Sequence, residues 1–381
     1  MRQLLIATAL LMTTPAVSAE PKHRFSTLGA LEVWSDETVP AHGIVMAAWD
    51  WTGLSDGARV SAEFNTDTLR FEYDGLRLAS WVEFGSRITG EYRITNLLAD
   101  YHQQGANVPE RTMSASYGLA QIWLKLNPFT RTYIQTEMGV RRWFFAHRDK
   151  TAENFVLPAE SWVIEPRLHA TWWGLEDDAG WRDRHRLYPR LRGFAVGASL
   201  GLNHHNNVRP WGAIDPNTFD PIDPRNDPET LQYQATQWIR AGWQASPRLR
   251  FEWTEELGMM TGEDDLYRRQ VGGLNPYVVN IPGVPWAYFH AGDYGGTQWS
   301  THVNLVSDLE AGVMASAVVL RDVDRVGSSD FDLIWGAGAL VDWRYKQWQF
   351  DLRGGYAPGL KQVHEGQDAW SVFAGVGWAT D

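Results

Sequence analysis

The sequence predicts an all-β protein: a single transmembrane antiparallel β-barrel of about sixteen strands, within a range of roughly twelve to sixteen. Three observations carry this prediction. They are an N-terminal export signal, long stretches in which polar and apolar residues alternate, and connections that alternate between short and long. Aromatic residues also cluster near the ends of the stretches, where a barrel meets the two membrane interfaces. These clusters are Trp49/Trp51, Trp143/Phe144/Phe145, Trp172/Trp173, Trp343/Tyr345 and Trp378.

Residues 1–19 have the layout of a cleaved secretory signal peptide. Met1–Gln3 include one Arg, Leu4–Met12 form an apolar run, and Val17–Ala19 offer small residues at the cleavage point. This order of charge, apolar run and small residues is typical of export signals. We therefore expect 1–19 to be removed and 20–381 to form the outer-membrane barrel. No later run of about 18 apolar residues occurs, so a transmembrane helix is not expected.

The composition disfavours several classes of function. The chain has 381 residues, 34 Lys and Arg against 46 Asp and Glu, no Cys and 21 Trp. A formal net charge of −12 disfavours nucleic-acid binding, which needs a basic face. Without Cys there are no disulfides, thiolate metal sites or cysteine nucleophiles. The many indoles fit strand ends, where each N–H stays in the wet interface.

Alternation with a period of two predicts the strands. In 249–258, Phe251 and Trp253 fall on one face, while Arg250 and Glu252 fall on the other. Successive side chains of a strand point to opposite faces, so the pattern gives one apolar and one charged face. Such stretches often run roughly 11 to 15 residues, whereas a globular strand typically has ~5–6. The candidate strands are 28–34, 43–52, 58–65, 68–78, 81–92, 117–126, 131–145, 161–173, 191–204, 231–245, 248–261, 298–308, 311–321, 331–345, 347–357 and 368–379.

The connections alternate in length. Short turns are predicted at 127–130, 246–247 and Lys346. Long loops lie between them, at 93–116, 146–160, 205–230 and 262–297. Short periplasmic turns on one rim and long extracellular loops on the other are typical of outer-membrane barrels. The connection 174–190 is long on the short side, and the sequence leaves open whether it hides a helix or the strand count fails there.

The connection after the eleventh strand carries a Gly-Gly pair and several prolines. Its candidate plug residues are Arg268, Arg269, Gly272, Gly273, Asn275, Pro276 and Tyr277. A sixteen-stranded barrel with a long sixth extracellular loop that bears Gly-Gly resembles the Omp85 family, also called the D15 bacterial surface antigen family. The segments 336–338 and 351–356 resemble the closing strands of that family, and Asn304 lies in a strand that resembles its asparagine–x–glutamate strand.

The resemblance covers roughly 230–381 in pattern and implies a non-enzymatic outer-membrane barrel with an assembly-like, translocation-like or passive transport role. Two features depart from the family pattern. Asn275, Pro276 and Tyr277 stand where the family has an Arg-Gly-Phe/Tyr tip, and no counterpart of its periplasmic POTRA domains precedes the first predicted strand. Two interpretations of the loop therefore stay open: a Pro/Gly-rich loop folded over the pore, or a plug inserted into the lumen.

Two alternative functions remain, a small-solute porin or channel and a lipid hydrolase or protease on the outer rim. Ser300 and His302 share a strand face, which sets them about 7 Å apart, too far for a direct hydrogen bond unless their rotamers converge. Asp264, Asp265 and Asp293 fall in long loops, as many solvated acids do. No catalytic residue is therefore predicted.

Charged residues of both signs are predicted to line the lumen. They are Glu137, Arg141, Arg250, Glu252, Glu256, Asp351 and Arg353. A mixed lining favours a salt-bridged, nearly closed interior over an ion-selective constriction.

Metal ligands and partners can also be weighed from the sequence. The repeated Asp-Pro steps in 205–230 offer oxygen ligands suited to Ca²⁺, but X-Pro steps also stiffen ordinary loops. His204 and His205 are neighbours, so a regular strand points them to opposite sides. We expect no metal and no cofactor. The expected partners are outer-membrane lipid, lipopolysaccharide and, during biogenesis, the outer-membrane assembly machinery, with no nucleic acid.

Overall fold

A computed structural model gives the architecture. It describes residues 22–34, 41–52, 58–66, 68–91, 102–103, 106–107, 113–175, 188, 190–213, 228–262, 265–267, 269–274, 279–284, 289–322, 331–358 and 369–380. The predicted signal peptide, 1–19, lies outside these residues. Within them, no helix is long and apolar enough to cross a membrane.

Sixteen long strands, numbered β1 to β16 in chain order, dominate the structure. They are β1 Lys22–Trp34, β2 Ala41–Thr52, β3 Arg59–Asn65, β4 Thr68–Ala79, β5 Val82–Glu91, β6 Met113–Phe129, β7 Thr132–His147, β8 Trp162–Leu175, β9 Gly193–His205, β10 Leu231–Ser246, β11 Leu249–Thr261, β12 Phe289–Val306, β13 Leu309–Asp322, β14 Phe331–Tyr345, β15 Trp348–Ala357 and β16 Ala369–Ala379. Short two-residue ladders join His102–Gln103 to Ala106–Asn107 and Phe155–Val156 to Gly212–Ala213.

Each long strand pairs antiparallel with the next strand along the chain. The last strand pairs with the first through nine residue pairs, from Ser26 with Ala379 to Trp34 with Ser371, and the sheet closes on itself. Closure removes the sheet edges, so the backbone groups of the strands satisfy one another, as a lipid environment requires. The predicted fold class, an antiparallel transmembrane barrel, is confirmed.

Two details of the connections differ from the prediction or resolve it. β12 begins at Phe289 and not at the predicted 298. Its residues 289–291 pair with a short strand of the preceding loop, Arg269–Val271, and its residues 294–297 pair with 255–258 of β11. The connection between β8 and β9 leaves the strand order intact. Its described residues, Tyr188 and Arg190–Arg192, are not helical.

The two faces of the barrel differ as the alternation predicts. The outer face is apolar and includes Val45, Phe71, Ile88, Ile122, Leu200, Met259, Val313, Leu333, Leu352 and Val376. The inner face carries most of the buried polar residues. One predicted girdle residue lies elsewhere: Trp143 is 1% exposed, faces inward and donates its indole N–H to Tyr267 Oη at 2.7 Å. The interpretation of Trp143 as a membrane-interface residue is therefore wrong.

Candidate functional site in the barrel lumen

The long loop between β11 and β12, 262–288, is called loop six here, and its described residues enter the barrel lumen. Its residue Leu274 is 1% exposed and lies in one apolar cluster with inward-facing side chains of β1, β13, β14 and β16. Those side chains are Leu28, Met314, Leu340 and Phe373. A second cluster joins Val271, Val279, Ile281 and Val284 of the loop to the walls of β12, β13 and β14. Loop six is therefore held inside the barrel by apolar burial, the main stabilising term for such a contact.

Loop six is also hydrogen-bonded to both strands that close the barrel. The backbone N–H of Leu274 donates to Glu32 Oε1 of β1 at 2.7 Å. The backbone N–H of Gly283 donates to Ser371 Oγ of β16 at 3.1 Å. Glu32 and Ser371 are each 1% exposed, so these are interior contacts with little competition from water.

The Gly-Gly pair makes the fold of the loop possible. Gly272 has φ 116 and Gly273 has φ 86, a region of backbone space that residues with a Cβ rarely adopt. In this conformation the N–H of Gly272 donates to Val279 O and that of Gly273 donates to Val284 O, both at 2.9 Å. The polar backbone of the inserted loop is thereby satisfied within the loop itself.

Glycines of the wall let the loop lie directly against it. A Cβ at Gly336 of β14 would stand 2.0 Å from Pro282 O, and one at Gly355 of β15 would stand 2.4 Å from Pro282 Cβ. Neither distance is compatible with a side chain. Gly336 and Gly355 therefore leave the space that Pro282 and Gly283 occupy.

The predicted plug residues fall into two groups. Arg269, Gly272 and Gly273 are described and lie in the inserted loop, and Arg269 Nε stands 3.1 Å from Glu256 Oε1 of β11. The remaining four, Arg268, Asn275, Pro276 and Tyr277, lie outside the described residues. Of the two interpretations of the loop, the described part corresponds to an inserted segment.

A second segment enters the lumen from the turn side. Tyr188 and Arg190–Arg192, called the turn-side segment, directly precede β9. Arg190 Nη2 lies 3.0 Å from Glu310 Oε1, and the N–H of Leu191 donates to Glu252 Oε1 at 2.8 Å. A Cβ at Gly242 would stand 2.0 Å from Leu191 O, so the wall has a glycine where the segment touches it.

Tyr188 anchors the other end of the turn-side segment. Its carbonyl accepts a hydrogen bond from Arg344 Nη2 at 3.3 Å, and its ring lies 3.0 Å from the guanidinium carbon of Arg353, measured to the ring centroid. The same ring meets Phe373 of β16 edge to face, with centroids 6.0 Å apart. The described part of the long connection on the short side, Tyr188 and Arg190–Arg192, therefore lies in the lumen.

The predicted lumen-lining residues on β7 lie on the inner face beside opposite charges or amides. Arg141 Nε stands 2.6 Å from Glu165 Oε1 of β8, and its guanidinium also covers the ring of Tyr117 at 4.3 Å. Glu137 accepts a hydrogen bond from Gln121 of β6. This wall is a paired network of charges of both signs.

The predicted lining residues on β11 and β15 form a second network with the strands beside them. Arg250 Nη2 stands 2.7 Å from Glu310 Oε2, and Arg250 also pairs with Glu252. On β15, Arg353 and Asp351 stand 3.7 Å apart, and Gln349 donates to Asp351 Oδ2 at 2.6 Å.

Glu256, the last of the predicted lining residues, accepts a hydrogen bond from Tyr294 Oη at 2.6 Å. It also stands against Arg269 of loop six. This contact links the charged wall of β11 to the inserted loop.

Between the two inserted segments lies a cavity of about 400 Å³. Loop six contributes Val279 and Asn280 to its lining, and the turn-side segment contributes Tyr188 and Leu191. The remaining wall is mostly polar and includes Arg250, Glu252, Ser300, His302, Glu310 and Asp342. This chamber, bordered by both segments, is the candidate functional site.

Ser300 and His302 on the chamber wall are in hydrogen-bond contact. Ser300 Oγ lies 2.9 Å from His302 Nε2, so the rotamers converge, which is the one case in which the sequence spacing allows a direct hydrogen bond. His302 Nε2 is also 3.4 Å from Glu252 Oε2, and its Nδ1 is 3.9 Å from Glu310 Oε2. In a catalytic triad an acid is hydrogen-bonded to the second ring nitrogen of the base, and the 3.9 Å between His302 Nδ1 and Glu310 Oε2 is longer than a hydrogen bond. Ser300, His302 and Glu310 are buried polar residues of the chamber wall.

The described residues contain no group of three His, Cys, Asp or Glu side chains that could hold a metal ion. His204 is exposed and His205 is 4% exposed, on opposite faces of β9. The Asp-Pro steps in 214–227 lie outside the described residues. The candidate Ca²⁺ loop therefore stays a sequence hypothesis.

Several residues of this site were not predicted from the sequence. They are Glu32, Ser371, Leu274, Tyr188, Arg190 and Glu310. Glu32 had a usable signal, because it falls on the opposite face from Leu31 in a strand whose outer face is apolar. Tyr188 and Arg190 had none, since they precede a strand in a segment without periodicity.

Comparison with known proteins places the fold. No family model matches the sequence, and no curated protein matches it. Among solved structures, BamA from Haemophilus ducreyi lacking POTRA domains 1–3 aligns with a TM-score of 0.60 and 11% identity, over 94% of this chain and 70% of that one. CdiB from Escherichia coli gives 0.58 and 11%, over 95% and 64%. CdiB from Acinetobacter baumannii gives 0.54 and 9%, over 94% and 60%.

The chain thus spans less than two thirds of the length of either CdiB chain. At such identities the likeness shows the fold alone. The protein is a membrane β-barrel with the architecture that BamA and CdiB share.

Proposed function

We propose that the protein is a non-enzymatic outer-membrane barrel of the Omp85 type, with an assembly-like or translocation-like role at the seam between β1 and β16. The observation that carries this proposal is the pair of hydrogen bonds by which loop six holds both seam strands, Leu274 to Glu32 and Gly283 to Ser371. Displacing the loop would release both strands at once. The fold shared with BamA and CdiB supports the same role.

The composition of the seam supports local opening. Three of its nine residue pairs contain a glycine: Leu28 with Gly377, Gly29 with Val376, and Ala30 with Gly375. Cross-strand side-chain pairs contribute much of the stability of a sheet, and a glycine contributes no side chain to pack. At these three positions the seam therefore lacks cross-strand side-chain packing, which favours parting of the two strands when loop six moves.

A disulfide across the seam tests the role. Leu31 and Ala374 are register partners on the outer face, and the chain has no Cys of its own. We expect that oxidised L31C/A374C protein loses the ability to insert an unfolded reporter outer-membrane barrel into liposomes, and that reduction restores it. The matched control is V341C/L352C, a register pair on the outer face of β14 and β15.

The control variant should stay active when oxidised, because it locks a hairpin far from the seam. Equal activity of the two oxidised variants would contradict a role for the seam. Insertion by the unmodified protein no faster than into empty liposomes would contradict the assembly role as a whole.

A passive small-solute channel is the second candidate, and the polar chamber of about 400 Å³ favours it. Single-channel recording in planar bilayers separates the two. Steady, ion-selective openings that persist in oxidised L31C/A374C protein would favour a channel through the lumen. Silence with occasional erratic openings, abolished by the same disulfide, would favour the seam.

Export and membrane partners belong to the same proposal. We propose that residues 1–19 are cleaved on export and that the apolar outer face contacts outer-membrane lipid and lipopolysaccharide. Biogenesis would then depend on the outer-membrane assembly machinery. Mass spectrometry of the mature N-terminus tests the cleavage, with Glu20 expected as the first residue.

A further inference from the structure

We infer that the chamber binds a small oxyanion, a carboxylate or a phosphate, at a site centred on Arg240 of β10. This inference concerns what occupies the chamber and does not rest on the role of the seam. Arg240 faces the lumen, as do Trp238, which lines the chamber, and Gly242, which lies against Leu191. The side chain of Arg240 is exposed and also lines the chamber, so its exposure is to the interior of the barrel.

The guanidinium of Arg240 is held by an aromatic ring. Its carbon lies 5.2 Å from the ring centroid of Trp238. Trp238 is fixed in turn by an edge-to-face contact with Trp173, with centroids 6.2 Å apart, and by Gly197, where a Cβ would stand 2.4 Å from the indole. In the described part of the chain, no carboxylate is in ion-pair contact with Arg240. The ring contact uses none of the N–H donors of the guanidinium, which stay available to a ligand.

Glu256 of β11, which also lines the chamber, is engaged by other residues. Its Oε1 accepts a hydrogen bond from Tyr294 Oη at 2.6 Å and lies 3.1 Å from Arg269 Nε. Its Oε2 accepts a hydrogen bond from Arg269 Nη2 at 3.3 Å. Arg240 and Arg269 therefore bring two positive charges to a part of the wall where Glu256 brings one negative charge.

The other inward-facing acids among the described chamber residues are paired with arginines. The pairs are Glu252 with Arg250, Glu310 with Arg190 and Arg250, and Asp342 with Arg344. They therefore leave the charge of Arg240 uncompensated.

Arg240 stands in one row with two further hydrogen-bond donors. It is the register partner of Thr254 on β11, and Thr254 is the register partner of Gln298 on β12. All three residues line the chamber. Directly opposite residues of neighbouring strands have Cβ atoms about 4.5–5.5 Å apart, so a guanidinium, a hydroxyl and an amide lie side by side. The planar guanidinium matches two oxygens of a carboxylate or phosphate, and the hydroxyl and the amide can donate to the same anion.

The site lies where two cavities meet. A second cavity, of about 420 Å³, lies on the loop-six side of the chamber. It shares Trp238, Arg240, Glu256 and Arg269 with the chamber of about 400 Å³. Each cavity has the volume of a pocket for a small molecule, which is consistent with a small organic or inorganic anion.

Isothermal titration calorimetry tests the site. The probes are succinate and inorganic phosphate, each titrated into the purified barrel in a nonionic detergent at fixed pH and fixed sodium chloride concentration. We expect a saturable heat of binding with at least one of them. R240Q should weaken this binding about tenfold or more, because hydrogen bonds between charged groups are lost. Tighter binding of succinate would assign a carboxylate ligand, and tighter binding of phosphate would assign a phosphate ligand.

R87Q on β5 is the matched control. Arg87 also lies 5.2 Å from the ring centroid of a tryptophan, Trp123, but it pairs with Glu72 at 2.7 Å and lies outside the chamber. We expect R87Q to bind the anion as tightly as the unmodified protein does. R240K keeps a positive charge without the planar guanidinium and should bind with intermediate affinity.

The absence of a saturable heat with both anions in the unmodified protein would overturn the inference. Equal affinity in folded R240Q protein would also overturn it, because the anion would then be held elsewhere, as would an equal loss of affinity in R87Q. Folding of each variant is checked by the shift in gel mobility on heating.

Discussion

The backbone N–H of Leu274 donates to Glu32 Oε1 at 2.7 Å and so joins two residues that are 242 positions apart. One partner belongs to an inserted loop and the other to the first strand. Glu32 Oε2 is buried and makes no hydrogen bond to any described residue. Among the described residues, the Glu32 side chain therefore makes its hydrogen bond to loop six alone, so replacing Glu32 tests how that loop is held.

Replacing Glu32 by Ala should loosen loop six. The N–H of Leu274 would be left buried without an acceptor, at a cost of about 1–3 kcal/mol. We expect faster proteolysis of loop six in E32A protein reconstituted in liposomes, together with longer or more frequent openings in planar bilayers. E32Q is the matched control, because its amide oxygen can still accept the hydrogen bond.

The comparison of E32A with E32Q tests the role of the hydrogen bond that the side chain of residue 32 accepts from Leu274. If E32A and E32Q show the same cleavage rate and the same conductance, the contact to Leu274 does not hold the loop.

The substitution G336A, which adds one methyl group on β14, should also displace loop six. The new Cβ would stand 2.0 Å from Pro282 O, so the loop must shift or the strand must distort, at a cost of about 1–3 kcal/mol. We expect G336A to resemble E32A in proteolysis and conductance. G118A on β6 is the control, because a Cβ there meets nothing within 4 Å.

Proteolysis and conductance of G336A that match those of G118A would mean that Pro282 is not seated on β14. A loss of folding in both variants would point instead to the barrel wall as the cause.

The fold followed from the sequence because each of its determinants is local. Alternation in 249–258 sets which face of β11 is apolar, and the short turns set which strands pair. Closure of the barrel needed no separate sequence signal. An open sheet in lipid would leave the backbone groups of its first and last strands unpaired, so these two strands pair with each other. β12 was predicted too short, because residues 289–297 show no clear alternation and pair partly with a loop strand and partly with β11.

For the lumen, the sequence predicted only which side chains face inward. The pattern put Arg141, Arg250 and Arg353 on the inner wall, but a partner depends on register between strands and on what enters the barrel. The hydrogen bond between Ser300 and His302 depends on rotamers, which a spacing of two residues does not fix. The turn-side segment lacks any repeat, so its insertion is visible only in three dimensions.

Two adjacent arginines on β7 allow the contribution of an inner-wall charge pair to the free energy of unfolding to be measured. Arg141 faces the lumen and pairs with Glu165, a carboxylate with no exposed side-chain surface. Arg142 faces outward and pairs with Glu160, whose side chain is 53% exposed. The two residues differ in face and burial but share strand, side chain and sequence context.

We expect R141M to lower the free energy of unfolding far more than R142M. Removing Arg141 leaves the buried charge of Glu165 to Arg167 alone, at 3.4 Å, so the loss should be near the lower end of the usual range, about 3 kcal/mol. An exposed pair such as Arg142 with Glu160 is typically worth about 0–1 kcal/mol. Urea unfolding in lipid, followed by tryptophan fluorescence, measures both. Equal losses would show that the charge pairs of the inner wall act as hydrated surface pairs, and the interpretation of the lumen as a salt-bridged, nearly closed interior would then be wrong.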